Sequence, residues 1–444
     1  MEVDFKRRHY HTRGEEIMET VYLKIAEQAT KYKTVRNLMS SVNVNTLKAA
    51  HVRQSRKKAA GIDRMTKDEY EKNLDENLEN LVGRMKRFSY KPLPVRRTYI
   101  PKPGSDKKRP LGIPAYEDKL VQGVMANALT LVYEPRFMDF SYGFRPKRDC
   151  HQAIRALDDI IITKKTSFVV DADIKGFFDN VNHDWLIKFL EHDIEDKNFI
   201  RYVKRFLKGG VMEEGKFLES DKGTPQGGLI SPILANVYLH YVLDLWFEKK
   251  ISREFEGEAH MVRFADDFVC CFQYEGEARR FFRMLKERFF KFGLELAEEK
   301  SKVIRFGRYA REHGSKETFD FLGFRHINAT SRNGKYIVLH QTAQKKMTAK
   351  MLAVKVWLSQ NFHMGKCELV RKLNQKLVGH YRYYGVTGNT RKMRGFAHYA
   401  RRALFKALNR RSQKRMNWET FNRFLQYNPI VTPKIYHRFE SNAR

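Results

Sequence analysis

The 444-residue sequence predicts an α+β fold that ends in a helical region. Short runs of β-branched and aromatic residues, bounded by turn residues, alternate with helical patterns in the middle of the chain. After them, apolar residues recur at helical spacing. There is no internal repeat or low-complexity segment, and 42% hydrophobic residues suffice for more than one core.

The chain is strongly basic, with 85 Lys and Arg against 52 Asp and Glu, a formal net charge of +33 and a pI near 9.9. This excess is typical of proteins that bind a polyanion. No segment has the apolar length of a membrane span, and the first residues show no signal-peptide pattern. The four cysteines form no C-x-x-C pair, which fits a reducing compartment. We expect a nucleic-acid partner, no membrane association and a cytoplasmic location.

The first half of the chain predicts two helices separated by an extended region. Residues 66–87 form an amphipathic pattern that begins acidic and ends basic, as the helix dipole favours. The prolines that follow exclude a long helix, and "PGSD" predicts a turn between two short extended runs. A helical pattern returns over residues 117–135.

The second half mixes strands and helices before it becomes helical. Residues 165–174 ("KTSFVVDADI") predict a strand, and Asn182 is placed to begin the next helix. Further helices are predicted over 237–250 and 277–292, and short strands in "FDFLGFRHI" and "KYIVLH". Residues 341–415 contain nineteen Lys or Arg and one acid, Glu368, at spacings that predict packed helices with a basic face.

Acidic side chains interrupt two of the most apolar strand patterns. In "MVRFADDFVCCF", Asp266 and Asp267 lie at or beside a predicted hairpin turn. A lone Asp pair is common in β-turns, but "FVVDADI" places Asp171 and Asp173 on one face of a second buried strand. Carboxylates in such positions are costly unless a cation or metal pairs with them. Spacing alone leaves open whether Asp171 or Asp173 is the metal ligand.

Two acidic strands side by side would form an oxygen-ligand site suited to Mg²⁺. In a protein this basic, a pair of carboxylate-held metal ions predicts phosphoryl or nucleotidyl transfer. One ion would activate the attacking hydroxyl and the other would stabilise the leaving oxygen.

Seven ordered blocks resemble one enzyme family. "RFADDFV" is similar to the Y/F-A-D-D box of reverse transcriptases, and "GTPQGGLISPILANVYL" resembles the block before it in the enzymes of bacterial group II introns. The similarity continues in "YIPKPGSDKKRPLGIP", "FSYGFRPKRDCHQAI", "DADIKGFFDNVNHD", "EEKSKV" and "FDFLGF", in the family's order, over about residues 60–440. The chain lacks the length and paired cysteines of the family's H-N-H endonuclease, so the resemblance is to the form without that domain.

The resemblance implies a right-hand polymerase fold with an antiparallel palm sheet and a helical thumb. The implied domains are an amino-terminal helical extension (1–60), fingers and palm (61–325), and a thumb or maturase domain with a short tail (326–444). The "KLVGHYRYYGV" and "WETFNRFLQYNPIVTPKIYH" stretches match the thumb of the family. Its aromatic and basic side chains suit RNA, and we expect RNA contacts from Arg391, Lys392, Arg394, Arg401 and Arg402.

The resemblance also implies roles for individual residues. Asp173, Asp266 and Asp267 match the catalytic aspartates, and the Ile174 carbonyl would be a further ligand of two Mg²⁺ ions; Asp171 is then a supporting acid. Phe178 matches the aromatic residue that excludes a 2′-hydroxyl. The remaining matches concern the incoming nucleotide: Lys102 and Arg109 at its triphosphate and base, Gln226 at its sugar, and Lys300 as the proton donor to pyrophosphate.

The expected function is that of an RNA-directed DNA polymerase which also binds its group II intron RNA as a maturase, assisting splicing and retrohoming. Its implied partners are the intron RNA, an RNA template, a DNA primer and dNTP. Two alternatives remain: a splicing factor with an idle polymerase, and a specialised relative for repair or defence. The intact aspartates argue against the first, and the unaltered "QGGLISP" argues against a diversity-generating enzyme.

Overall fold

The structure is a computed structural model that describes residues 20–101, 108–219, 221–224, 227–410 and 416–439. It confirms the predicted α+β class, with helices and sheets that are antiparallel except at one short parallel strand pair, followed by a helical carboxyl-terminal region. The strands in the described ranges are β1 (Val95–Pro101), β2 (Lys108–Ile113), β3 (Phe168–Ala172), β4 (Val211–Glu213), β5 (Lys216–Leu218), β6 (Ala259–Phe264), β7 (Asp267–Phe272), β8 (Lys302–Arg305), β9 (Thr318–Phe321), β10 (Phe324–Thr330) and β11 (Tyr336–Thr342).

The helices before residue 140 pack around one of their own number. The last of these helices lies near the centre of this core and buries twelve of its eighteen residues. Its apolar side chains lie on several faces, so it packs against neighbours on more than one side. The helices are α1 (residues 20–31), α2 (Val44–Arg53), α3 (Lys67–Glu71), α4 (Leu74–Lys86) and α5 (Tyr116–Tyr133).

The predicted single helix over residues 66–87 is wrong in one respect, because it is broken between α3 and α4. Thr66 begins α3 with a capping box that it forms with Glu69. The Tyr70 carbonyl then accepts a hydrogen bond from the Asn77 side chain (3.1 Å), so a side chain takes the place of a main-chain donor. Local side-chain hydrogen bonds of this kind compete with a continuous helix.

The central sheet has the strand order β6–β7–β3–β8 and is antiparallel throughout. Successive side chains of each strand point to opposite sides of the sheet. Different helices pack on the two faces. Around it lie α6 (Cys150–Thr163), α7 (Phe177–Asn180), α8 (His183–Asp193), α9 (Lys197–Leu207), α10 (Ser231–Leu239), α11 (Ser252–Glu254), α12 (Glu275–Lys291) and α13 (Arg308–Glu312).

The predicted helix over 237–250 lies inside a longer helical run from α10 to α11. Two π-helical segments, His240–Asp244 and Phe247–Ile251, continue α10 within this run. A second sheet, ordered β2–β1–β4–β5, lies beside the amino-terminal helices and includes the two extended runs that flank "PGSD".

The third sheet, β11–β10–β9, connects the central region to the last helices. The sequence "FDFLGFRHI", in which short strands are predicted, forms β9, a turn and the start of β10. Leu322 and Gly323 have φ values of +49° and +81°. Left-handed backbone at both positions of a two-residue turn is what a tight hairpin requires.

The carboxyl-terminal helices have an apolar core of their own, built from residues such as Leu373, Phe396 and Leu404. This confirms the packed helices predicted within 341–415 for the described part of that stretch, residues 341–410, despite its charge. The helices are α14 (Gln344–Gln360), α15 (Lys366–Tyr384), α16 (Thr390–Leu408) and α17 (Trp418–Tyr427). Among the described residues, no helix combines the length and the apolar character that crossing a membrane requires.

Candidate active site

The two adjacent aspartates lie in a tight hairpin, as the sequence predicts. β6 and β7 pair from Ala259↔Phe272 to Phe264↔Asp267, which leaves Ala265 and Asp266 as a two-residue turn. Ala265 has a φ of +59°, a left-handed conformation that is unfavourable for a residue with a Cβ. The surrounding structure must therefore stabilise this turn.

The register of the central sheet brings Asp173 to the same place. β3 pairs with β7 up to Ala172↔Phe268, so that Asp173, the next residue, lies opposite Asp267. Directly opposed residues of an antiparallel pair point to the same face. Asp171 is on this face too, one step farther into the sheet and opposite Val269. Asp173, Asp266 and Asp267 thus converge at one end of the sheet, with Asp171 beside them.

Burial and neighbouring carboxylates disfavour the ionisation of Asp171, Asp266 and Asp267. Burial raises the pKa of Asp267 to about 7, with the charges of Asp171, Asp266 and Asp173 acting in the same direction. Burial raises the pKa of Asp171 to about 7 as well, against the opposing charge of Lys302. Burial also raises the pKa of Asp266. The cluster is an anionic site that lacks full charge compensation.

The donor set fits a divalent cation. Among the described residues, no Lys, Arg or His forms an ion pair within 4.0 Å with Asp171, Asp266 or Asp267. Clustered carboxylates at a buried strand end, without such partners, are the ligands that hard divalent ions prefer.

At the predicted ligand position after β3, the Ile174 carbonyl takes no part in the hydrogen bonds of the adjacent bridge. Ile174 forms an isolated antiparallel bridge with Leu296. The hydrogen bonds of that bridge are made by its neighbours, from Ala297 N–H to Asp173 O (2.8 Å) and from Lys175 N–H to Glu295 O (2.8 Å). The Ile174 carbonyl is not used in this bridge.

Two lysines approach the aspartates. The Lys300 ammonium donates a hydrogen bond to Asp173 Oδ2 at 2.9 Å, and this bond raises the pKa of Lys300. Both side chains remain accessible, at 61% and 42% exposure, so the pair is free to exchange partners. Lys346, in the first turn of α14, is the basic residue that lowers the pKa of Asp267. Sequence reasoning missed Lys346, because only the fold brings α14 to this sheet.

A fully buried ion pair supports the aspartate turn. Arg263, two residues before Ala265, donates from Nε to Asp244 Oδ1 (2.7 Å) and from Nη2 to Asp244 Oδ2 (2.5 Å), and both side chains have no exposure. Its Nη1 donates to the Ala265 carbonyl (2.9 Å) and to Asn236 Oδ1 (3.0 Å). One guanidinium therefore ties the turn to the long helical run.

The "FSYGF" block forms the other side of this support. Arg263 N–H donates to the Phe140 carbonyl and its own carbonyl accepts from Tyr142 N–H, each at 2.8 Å. A Cβ on Gly143 would lie 2.2 Å from the Ala265 nitrogen, so only glycine fits there. Sequence reasoning missed Arg263 and Asp244; the signal was two opposite charges in otherwise apolar runs, "VRFA" and "VLDLW".

The other predicted site residues are placed less completely. Lys102 and Gln226 lie outside the described residues. Arg109 is exposed on β2, and its charge lowers the pKa of Asp266, against the burial that raises it. Phe178 is partly buried in α7, with its ring edge-on to Phe177 at 5.3 Å. Gly227 lies close against β2, because a Cβ there would lie 2.4 Å from the Gly112 carbonyl oxygen.

The predicted RNA-binding residues all lie on α16 but differ in their contacts. Arg391, Arg394 and Arg402 are exposed and share one face, since they are three and eight residues apart. Lys392 donates to Gln344 on α14 (3.1 Å), and Arg401 donates to Asn422 on α17 (2.6 Å). All four arginines, Arg401 included, are exposed, whereas Lys392 is half-buried.

Replacing Asp244 with Asn should destabilise the protein by about 3–5 kcal/mol, because Arg263 would keep a buried charge without its carboxylate. Urea titration measures the free energy of unfolding. Asp320→Asn is the matched control: it removes one carboxylate from the Arg325–Asp320 pair, which is 43% and 41% exposed, and should cost about 1 kcal/mol or less. Similar losses in both variants would contradict the supporting role of the buried pair.

Comparisons with known proteins show which family and which relatives the chain resembles. The model of the reverse transcriptase (RNA-dependent DNA polymerase) family matches residues 100–326. The chain is similar to the group II intron-encoded protein LtrA of Lactococcus lactis subsp. cremoris, with 29% identity over 405 residues. That match covers 73% of this chain and 66% of LtrA, so the chain spans just under two thirds of that relative's length.

Two further relatives differ in coverage. Protein YkfC of Escherichia coli (strain K12) is 33% identical over 319 residues, which is 64% of this chain and 80% of YkfC. The mitochondrial nuclear intron maturase 3 of Arabidopsis thaliana is 31% identical over 129 residues, or 29% of this chain and 18% of the relative.

Proposed function

Because the chain belongs to the reverse transcriptase (RNA-dependent DNA polymerase) family, we propose that it extends a DNA primer on an RNA template. The observation that supports this most directly is the convergence of Asp173, Asp266 and Asp267 at one end of the central sheet. A shared carboxylate site in a chain of net charge +33 suits a reaction between a nucleic-acid end and a nucleoside triphosphate.

The three aspartates and the Ile174 carbonyl would hold two Mg²⁺ ions. When bound, these ions supply activation of the primer hydroxyl and stabilisation of the charge on the leaving pyrophosphate. The protein's part is to hold the carboxylates in place, and the Arg263–Asp244 pair does this for the turn. Burial opposes ionisation, so the site is disposed to take up cations.

Three side chains are proposed to act on the incoming nucleotide. Arg109 is exposed on β2 and near enough to influence Asp266, which suits a contact with the triphosphate. Lys300 is the candidate proton donor to pyrophosphate: its ammonium is charged, exposed and only loosely held by Asp173. Phe178 has a partly exposed ring next to the aspartates' strand, a position that suits exclusion of a 2′-hydroxyl.

Asp266→Ala should abolish Mg²⁺-dependent cDNA synthesis, with a loss of roughly 10²–10³-fold or more, because a cation position loses its ligand. The same variant should still assist splicing, since the RNA is the catalyst of that reaction. Primer extension and splicing are assayed in parallel at one ionic strength. Asp171→Ala is the control and should keep full polymerase activity. Full activity in Asp266→Ala would exclude the proposed site.

Phe178→Val should allow ribonucleotides to be incorporated, because the proposed exclusion is steric and the smaller side chain leaves room for a 2′-hydroxyl. The measurement is the ratio of kcat/KM for dNTP over rNTP on one primer–template. Phe177→Leu, at the buried neighbouring ring, is the control and should leave this ratio unchanged. An unchanged ratio in Phe178→Val would assign Phe178 to the core alone.

A second proposed role is that of a maturase that binds intron RNA through residues 326–444. It is supported by the exposed arginines of α16, and by relatives whose names describe intron-encoded and maturase proteins. A groove of about 440 Å³ between α14 and α16, lined by Gln344, Arg391 and Lys392 among others, lies beside these arginines. Its polar and cationic rim suits RNA phosphates and sugars.

Reversing Arg391 and Arg394 to Glu should weaken intron RNA binding and reduce its salt dependence, because phosphate contacts release counterions. Losing two contacts should lower the slope of log K against log salt by roughly 1.4–1.8. Filter binding at several salt concentrations gives the slope. Arg253→Glu with Arg283→Glu, exposed on α11 and α12, changes the net charge equally and is the matched control.

The splicing assay separates the alternatives. The Arg391 and Arg394 double variant should lose splicing assistance more than primer extension at saturating template. If the unmodified protein extends primers but assists no intron, the maturase role is wrong and a polymerase for repair or defence is the better assignment.

A further inference from the structure

A second cluster of potential metal ligands lies away from the aspartate site. Asp158, His326 and His340 are buried, at 7%, 0% and 1% exposure. They meet where α6 packs against the sheet of β9, β10 and β11, which leads directly into α14. Among the described residues, this is the one group of three or more His, Cys, Asp or Glu whose ligand atoms lie within 4.8 Å of one another.

The fold assembles this cluster from three separate parts of the chain. β10 and β11 pair antiparallel with His326 directly opposite His340, so both rings point to the same face. The ring centroids are 4.8 Å apart. Asp158 reaches them from α6, and its Oδ1 lies 3.0 Å from His340 Nε2. Two ligand atoms are thus already at nearly the separation that a shared metal ion requires.

His326 is the unexplained member of the cluster. Its ring stacks on Phe319, with centroids 4.6 Å apart and planes 8° from parallel. Neither ring nitrogen has a hydrogen-bond partner among the described residues, although the side chain is fully buried. Burial lowers the pKa of His326, and the nearby Phe324 main chain opposes that shift without completing a hydrogen bond of normal geometry. A buried polar group without a partner is costly, and an unseen ligand is one explanation.

Burial without partners is not sufficient evidence, as His380 shows. It is also buried with two unpartnered nitrogens, and it packs on Phe396 at 4.1 Å. It belongs to no cluster of potential ligands. His326 differs because its ring faces a second imidazole and a carboxylate. The convergence of three donors distinguishes the two sites.

We propose that Asp158, His326 and His340 bind one Zn²⁺ ion. Two imidazoles and one carboxylate suit Zn²⁺, whereas Mg²⁺ and Ca²⁺ prefer oxygen ligands alone. Water would complete a four-coordinate site. In the hydrogen bond to the Asp158 carboxylate, the neutral His340 ring carries its proton on Nε2. On binding, two metal–ligand bonds would replace this hydrogen bond, and the proton would move from Nε2 to Nδ1.

The ion would fasten the base of the carboxyl-terminal helices. α6 packs under the central sheet, and His340 lies four residues before α14 begins. His340 also contacts Phe439 of the carboxyl-terminal segment, with ring centroids 5.1 Å apart. A metal bond from α6 to β10 and β11 therefore links these elements more rigidly than packing alone. This role is independent of the proposed polymerase and maturase activities.

The test measures zinc in the full-length protein. Purified chain is incubated with excess ZnCl₂, passed through a desalting column and analysed by mass spectrometry for metal per chain. His326→Phe keeps the stacked aromatic shape but removes two nitrogens. Asp158→Asn keeps an acceptor for His340 but is a much weaker zinc ligand. His380→Phe is the matched control, a buried, unpartnered histidine outside the cluster.

We expect about one zinc per chain in the unmodified protein and in His380→Phe, and at least tenfold weaker binding in His326→Phe and Asp158→Asn. Chelation should lower the thermal midpoint of the first two proteins by several degrees and leave the latter two unchanged. No zinc in the unmodified protein, or equal zinc in all four, would overturn the proposal. Asp158→Asn decides the question if His326→Phe does not fold.

Discussion

The Arg263–Asp244 ion pair has no solvent on either side, and the aspartate turn is built on it. A buried pair is not favourable merely because its charges attract, since both must lose their water. Here the guanidinium also donates to the Ala265 carbonyl and to Asn236, so that each of its three nitrogens has a hydrogen-bond acceptor. The left-handed Ala265 can persist because its neighbours over-determine it. The position of Asp266 follows from this arrangement.

Acidic residues of the site and basic residues of the carboxyl-terminal helices differ in their exposure to solvent. The aspartates are half-buried at a sheet end, where burial opposes the ionisation of Asp267, while the basic residues of the carboxyl-terminal helices lie mainly at the surface. Lys300 is the basic side chain hydrogen-bonded to this cluster in the described residues, and it is exposed and exchangeable. A positive surface attracts a polyanion over long distances, whereas the local negative site attracts cations. Binding of phosphates and metal ions at one place therefore requires both the positive surface and the local negative site.

Helix α6 connects the parts of the molecule that perform different tasks. Its apolar face, including Leu157 and Ile161, packs with Val169 and Val269 of the central sheet and with Phe319 of the third sheet. The third sheet leads into α14, whose Lys346 influences Asp267. Residues that are far apart in sequence are therefore coupled through one helix, and the base of the carboxyl-terminal helices is fixed relative to the aspartates.

The sequence alone determined the α+β class, the aspartate hairpin, the shared face of Asp171 and Asp173, and the basic helical end, because each follows from local spacing and charge. It did not determine the break between α3 and α4 or the turn at Leu322 and Gly323, where side-chain hydrogen bonds and left-handed backbone override periodicity. The pairing of Arg263 with Asp244, the approach of Lys346 and the meeting of Asp158 with two histidines were decided by tertiary structure. These contacts join segments between 19 and 182 residues apart, and no local pattern specifies such partners.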